Sequence, residues 1–186
     1  MTFWANSAFE PKRNFMWKMT LLSGVEDSKS LEPFRMKKVS RPKMSVNAVE
    51  HNYLNRKYKF PGIVTWDNVT ATVVDDVGGQ TIDLIKDYLA NSNYSEINKD
   101  TQLTAGQFST LGKNKMVNGM SSAGGAAANV VIEQLNSEGE TVETMYLYNA
   151  WLLSVTPSEL DYSNEDLSTF DIELAYDWCS FEGPAE

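Results

Sequence analysis

The sequence is poor in the residues that build most reactive centres, with one cysteine, Cys179, and one histidine, His51, among 186 residues. A single cysteine excludes a disulfide within the chain, and the two residues are too few for a zinc site of histidine and cysteine. No apolar stretch approaches the roughly 18 residues of a membrane-spanning helix. No apolar segment typical of a signal peptide precedes the first charges, so we expect a protein made in a cytoplasm, with no membrane partner.

Positive charge is scarce in the last two thirds of the chain. Residues 61–186 carry four Lys or Arg against 20 Asp or Glu, whereas residues 1–60 carry 12 against five, and the net charge of the chain is −9. This balance argues against a DNA-coating protein, which needs a basic surface to displace counterions. The asymmetry suggests that the basic end meets the acidic part of another copy; the alternative is chance clustering of solvated charges.

Catalytic signatures are also missing. Residues 106–113 resemble a phosphate-binding loop only faintly, because five residues rather than four separate the glycines and Asn114 stands where Ser or Thr would bind magnesium. No G-x-S-x-G motif occurs. Cys179 has no histidine near it in sequence and is interpreted as a buried structural thiol, and His51 as a surface or interface residue. We therefore expect no catalytic residue, no cofactor and no metal site.

What the sequence does contain is the two-residue alternation of β-strands. The clearest case is residues 168–178, where one parity is apolar and the other includes acids. Further strands are predicted at residues 13–22, 34–39, 66–74, 129–135 and 141–155. On one face of the first two we expect Phe15, Trp17 and Met19, and Phe34 and Met36, respectively.

One helix is predicted among these strands, at residues 81–90. Thr81 offers an N-cap hydroxyl, and Ile82, Ile85 and Leu89 follow with the spacing of one helical face. The remaining segments are predicted to be loops or turns: residues 40–61 (a loop or a long hairpin), 91–128 (a long variable loop), 136–139 and 157–164.

These elements predict one domain over residues 1–186, with an N-terminal arm at residues 1–12. The fold class is mainly β: an antiparallel β-sandwich or barrel of six to eight strands, with one flanking short α-helix and long assembly loops.

Two segments resemble the tail tube protein of large contractile-tailed bacteriophages. In the first, residues 53–74, residues 55–57 (Asn-Arg-Lys) lead through Gly62 to a strand that contains Trp66. The second, residues 148–178, matches at Trp151, Pro157, Leu160, Asp161 and residues 169–172 (Thr-Phe-Asp-Ile). The predicted helix lies between the two halves, as it does in that family.

The resemblance implies a structural virion protein of the tail, assembled in the host cytoplasm, and not an enzyme. Such proteins form hexameric rings that stack into a hollow tube inside a contractile sheath. The implied partners are other copies of the chain, the tail sheath, the baseplate and the tape-measure protein. DNA passes through the lumen during ejection.

Two groups of charged residues become candidates for these roles. An acidic wall repels phosphates, so we expect Asp171, Glu173 and Asp177 to face the lumen from the last strand, the alternative being an acidic face exposed on the outside. We expect the basic stretch to reach an acidic surface of an adjacent subunit through Arg41, Lys43, Arg56, Lys57 and Lys59.

Other classes stay open on the residues alone. One is a monomeric β-barrel that binds a small ligand, similar to lipocalins. Another is an enzyme that uses acids of residues 159–177, although the acids of residues 159–166 lack the spacing of a calcium loop and are interpreted as a solvated turn. The resemblance also extends to the tube proteins of non-phage contractile injection systems and of type VI secretion.

Overall fold

The computed structural model describes residues 11–21, 33–91, 112–119, 128–163 and 165–183. The helices in these residues are α1 (Gln80–Asn91) and α2 (Lys113–Gly119), with a 3-10 turn at Pro33–Arg35. The strands are β1 (Trp17–Leu21), β2 (Met36–Val39), β3 (Lys43–Tyr53), β4 (Arg56–Asp67), β5 (Val69–Val74), β6 (Ala128–Leu135), β7 (Thr141–Tyr148), β8 (Trp151–Pro157), β9 (Thr169–Ala175) and β10 (Trp178–Glu182).

The strands form two four-stranded antiparallel sheets and one separate hairpin. Sheet A has the order β1-β6-β7-β10, sheet B has the order β2-β5-β9-β8, and β3 pairs with β4. The mainly β, antiparallel fold class predicted from the sequence is confirmed. Most of the predicted N-terminal arm, and residues 92–111 and 120–127 of the predicted long loop, lie outside the described residues.

Among the described residues, one apolar core lies where the inward faces of sheets A and B meet. Met19, Ile132 and Leu147 contribute from sheet A, and Val73 and Leu174 from sheet B, all of them buried. The two-residue alternation explains this, since every second side chain of a strand points to the same face.

The segment predicted as one long strand, residues 141–155, is two strands in different sheets. β7 ends at Tyr148, Asn149 has a φ of 54°, and β8 then begins at Trp151 in sheet B. Asparagine tolerates this left-handed backbone better than most residues. The sequence concealed the break because residues on both sides of it are apolar.

Four other strand predictions need correction. Residues 66–74 divide at Asn68 into the end of β4 and all of β5. Residues 168–178 end as a strand at Ala175, and β10 was not predicted. Phe15 and Phe34 lie outside β1 and β2 and are exposed, so the predicted apolar faces lose these two side chains.

Helix α1 exists where it was predicted, but Ile82 of the predicted apolar face is 41% exposed, and the side chain of Leu89 lies outside the described residues. Thr81 lies inside the helix and is buried, and the residue before the helix is Gly79, whose carbonyl accepts a hydrogen bond from the Asp83 amide. The face toward the core carries Leu84 and Tyr88. The Tyr88 hydroxyl also accepts a hydrogen bond of 3.1 Å from the Leu152 amide, which ties α1 to β8.

The loop predictions are confirmed in part. Residues 40–61 belong largely to the long β3–β4 hairpin, one of the two predicted alternatives, and residues 113–119 of the predicted long loop form α2. The turn at residues 136–139 is confirmed: the Asn136 carboxamide oxygen accepts hydrogen bonds from the amides of Glu138 and Glu140. In the parts of the chain that the structure describes, no helix is both long and apolar enough to cross a membrane.

The orientation of α1 makes a stability prediction. We expect Leu84→Ala to lower the free energy of unfolding by about 1–3 kcal/mol, because it removes partly buried methyl groups. Ile82→Ala is the matched control, and we expect a loss below about 1 kcal/mol because Ile82 is 41% exposed. Urea denaturation followed by circular dichroism measures both. A larger loss for Ile82→Ala would contradict the observed orientation of the helix.

Candidate assembly surfaces

The outer face of sheet B carries two of the predicted acidic residues. Asp171 and Glu173 alternate along β9 with the buried Ile172 and Leu174. The Thr72 hydroxyl donates a hydrogen bond of 2.6 Å to Asp171. These two carboxylates therefore point away from the core and lie on one face, as predicted.

Small hydroxyl side chains surround these carboxylates. Glu173 accepts hydrogen bonds from the Asn68 carboxamide at 2.8 Å and the Ser154 hydroxyl at 3.2 Å, so both of its oxygens are held. Thr70 lies opposite Glu173 in the β5–β9 register, and Lys38 lies opposite Thr72 on β2. The result is a polar face on which both carboxylates accept hydrogen bonds.

Asp177 does not belong to this face. The sequence analysis placed it with Asp171 and Glu173 because all three are an even number of residues apart. That alternation ends with β9 at Ala175, and Asp177 lies in the link to β10. There its carboxylate forms an ion pair with Lys113 of α2 and accepts a hydrogen bond of 2.9 Å from Asn149. The Lys113 hydrogen bond is the main cause that lowers the pKa of Asp177. Asp177 thus joins α2 to the crossover between the sheets.

Sheet B ends in two edges. β2 and β8 are its outermost strands, and each pairs with one neighbouring strand among the described residues. Every pairing in the sheet is antiparallel, so successive strands alternate in direction across it and β2 and β8 run in opposite directions. Outermost strands present unpaired backbone N–H and C=O groups, which makes both edges candidate contacts for another copy.

The β3–β4 hairpin projects from the sandwich. Its strands pair from Lys43 opposite Asp67 to Tyr53 opposite Arg56, a length of about 35 Å, and nearly every residue in it is exposed. At its base the Trp66 ring lies 6.1 Å from Tyr176 and 6.3 Å from Phe181. The hairpin is therefore anchored at one end.

Gly62 permits the close approach of the two hairpin strands. A Cβ atom at this position would lie 2.8 Å from the Asn47 carbonyl oxygen, at the point where the strand register shifts. Only glycine avoids this clash without backbone movement. The glycine of the motif quoted above thus has a physical role in the hairpin.

The predicted basic residues do not form one patch. Arg41 and Lys43 lie at the base of the hairpin, where Arg41 contacts Glu143 at 3.3 Å and Lys43 contacts Asp67 at 2.8 Å. The hydrogen bond to Asp67 is the main cause that raises the pKa of Lys43. These two cations are already paired within the chain.

The other three basic residues lie at the far end of the hairpin. Lys57 and Lys59 share Glu50, at 3.6 and 3.9 Å. Arg56 forms no ion pair within the described chain. The hairpin tip therefore keeps an excess of positive charge that its own strands do not neutralise.

An open cleft of about 530 Å³ lies beside the turn between β8 and β9. Its lining includes the carboxylates of Glu159 and Asp161 and the apolar side chain of Leu160. Asp161 accepts two hydrogen bonds from Ser163, which lower its pKa. The described residues contain no group of acids, histidines and cysteines arranged to hold a metal ion. The sequence analysis identified these acids but could not predict the cleft. Its lining also includes Lys37 of β2, which is far from them in sequence.

The two residues with catalytic potential occupy different environments. Cys179 of β10 is buried, as predicted, and burial raises the pKa of its thiol to about 11. His51 is exposed on β3, opposite Tyr58 in the register. No contact joins the thiol and the imidazole, so the described chain offers no thiol–imidazole pair.

Comparison with known proteins gives one family. Residues 14–179 match the model of the T4-like virus tail tube protein gp19 family. No curated protein matches the sequence.

Solved structures share the fold at low identity. One is a chain of the anti-feeding prophage baseplate, with a TM-score of 0.63 and 14% identity over 94% of this chain and 97% of that chain. Another is a chain of the PVC sheath–tube complex of an extracellular contractile injection system in the extended state. It has a TM-score of 0.61 and 16% identity over 99% of each chain.

The burial of Cys179 makes a reactivity prediction. With a pKa of about 11 the folded thiol holds about 200-fold less thiolate at pH 8 than an ordinary cysteine does. We therefore expect slow reaction with a chromogenic disulfide reagent, and fast reaction once urea unfolds the chain. Asn55→Cys, which adds an exposed cysteine at the hairpin tip, is the positive control. Equal rates for the native and the added thiol would show that Cys179 is accessible and activated.

Proposed function

The chain belongs to the T4-like virus tail tube protein gp19 family, and we propose that copies of it close into hexameric rings that stack as the inner tube of a contractile tail. The observation that carries this proposal is the pair of open edges on sheet B, β2 and β8, on either side of one polar face. Such a sheet is a wall segment that other copies can extend.

Ring closure follows from the alternation of strand directions. Rotation about a central axis keeps the direction of a strand along that axis, so β8 of one copy would meet β2 of the next copy running the opposite way. The antiparallel order of sheet B then continues around the ring, and closure leaves neither edge of sheet B exposed.

We propose that sheet B, rather than sheet A, lines the lumen. Its outer face presents Asp171 and Glu173 among small hydroxyl side chains. The outer face of sheet A instead carries bulky aromatic residues, with Tyr148 stacked on Trp178 at 5.2 Å. An acidic wall would let DNA pass without the counterion-release affinity that a basic wall creates. Asp177 is left out of this proposal because its carboxylate is engaged between α2 and the sheet crossover.

The proposed partners follow from the same assembly. Copies of the chain bind one another, and the outside of the tube faces a tail sheath, with a baseplate at one end. A tape-measure protein and then the DNA occupy the lumen. The protein is part of the virion tail, and assembly takes place in the host cytoplasm. The family is a structural one, and we propose that the chain catalyses no reaction; the buried thiol of Cys179 and the exposed His51 support this.

Electron microscopy of the purified protein tests the main proposal. We expect negative-stain images to show six-fold rings or hollow tubes, because free β2 and β8 edges favour pairing between copies. A compact monomer with an internal ligand cavity would contradict the proposal and favour the small-ligand barrel. A cryo-EM map of the tube then tests the lumen: carboxylates of Asp171 and Glu173 on the outer surface would contradict the proposed orientation of sheet B.

The basic hairpin tip gives a separate prediction. We expect the combined change Arg56→Gln, Lys57→Gln and Lys59→Gln to raise the critical concentration for assembly about tenfold, since each exposed charge contributes about 0.2–1 kcal/mol. Sedimentation of tubes at several protein concentrations measures this. The difference from the unmodified protein should shrink as salt rises, because salt screens exposed charges.

A matched control neutralises three cations outside the hairpin instead: Lys12→Gln before β1, Lys18→Gln on β1 and Lys86→Gln on α1. We expect this variant to assemble at nearly the original concentration. An equal defect in both variants would mean that net charge, and not the hairpin tip, governs assembly.

A further inference from the structure

The tip of the β3–β4 hairpin contains a strained apolar residue. Leu54 has a φ of 53° and its side chain is 90% exposed. The left-handed backbone is costly for a residue with a Cβ, and hairpin tips normally use Asn, Asp or Gly there. Neither the backbone strain nor the exposed side chain stabilises the isolated chain. A leucine at this position therefore indicates a use outside the fold of one copy.

The cleft beside the β8–β9 turn is a concave surface that also exposes apolar side chains. Leu160 is 90% exposed and Leu167 is 68% exposed, and both line an open space of about 530 Å³. That volume is within the range of pockets that bury a drug-sized ligand. Exposed apolar groups around a concave surface are typical of an interaction site.

The acidic residues of the cleft lining favour a partner that carries positive charge. Glu159 and Asp161 contribute negative charge to the lining, with Lys37 as a cation beside them. The hairpin tip brings an apolar residue, Leu54, two residues before Arg56, whose guanidinium has no ion pair within the described chain. Tip and cleft are thus complementary in both apolar and charged groups.

We propose that the hairpin tip of one copy inserts Leu54 into this cleft on a second copy, with Arg56 against the carboxylate of Glu159. The proposal rests on the proposed tube function and names the joint through which the hairpin acts. Each copy carries one tip and one cleft, so the contact is heterologous and propagates from copy to copy.

Cross-linking between copies tests the joint directly. The double variant Asn55→Cys and Tyr162→Cys keeps Leu54 and places one thiol beside the tip and one in the cleft lining. We expect oxidation of assembled protein to give a ladder of covalent oligomers on a non-reducing gel, since every chain can bond to two others. Each single variant should give at most dimers. The buried Cys179 can remain in both.

A second variant separates docking from folding. Leu54→Asn suits the left-handed turn, so we expect the monomer to keep or raise its melting temperature. The critical concentration for tube assembly should nevertheless rise about tenfold, because the apolar side chain that fills the cleft is lost. Val77→Asn, at another fully exposed aliphatic residue, is the control and should assemble normally.

The outcomes distinguish this inference from the proposed function. Tubes that form while the oxidised double variant remains monomeric, or while Leu54→Asn assembles as well as Val77→Asn, would overturn the docking joint and leave the tube function intact. That result would make the sheath the occupant to test next. Absence of tubes from the unmodified protein would overturn both.

Discussion

The need to pair backbone groups at the edges of sheet B governs much of this structure. The backbone N–H and C=O groups of an edge strand lack partners within the sheet, so they can form hydrogen bonds with a strand of another copy. β2 and β8 leave such edges at both sides of a sheet whose core face is fully apolar. A protein that used this sandwich as a monomer would need to cover them, whereas a ring uses them as its joints.

The sequence predicted most of the β content because burial imposes strict alternation. Ile172 and Leu174 on β9 were assigned to the core, and Asp171 and Glu173 to the outer face, from parity alone. The predictions failed where the alternation of apolar and polar residues did not mark the boundary or the orientation of an element. Residues 141–155 are apolar on both sides of Asn149, so nothing in the pattern marks the change of sheet. In α1 the choice between the Ile82 and Leu84 faces depends on where β8 presents Leu152, a tertiary fact.

The candidate assembly surfaces were also predicted only in part from the sequence. Charge counting identified the basic first third of the chain, yet it could not separate Arg41 and Lys43, which are paired at the hairpin base, from the tip residues. The cleft required the fold, because Lys37 of β2 meets residues of the β8–β9 turn that are far away in sequence. An exposed two-stranded ribbon is only marginally stable by itself. Contacts with other copies would therefore fix the position of the hairpin as well as join the subunits.

The crossover at Asn149 and Ala150 has a mechanical consequence. Two residues link β7 of sheet A to β8 of sheet B, a span of under about 10 Å. The sheets cannot slide past each other without stretching the covalent chain, and the bond from Asn149 to Asp177 stiffens the same corner. Under torque on the proposed tube, each subunit would turn as a rigid block. The twist would then occur as rotation between subunits, at the contacts that the hairpins and the sheet edges form.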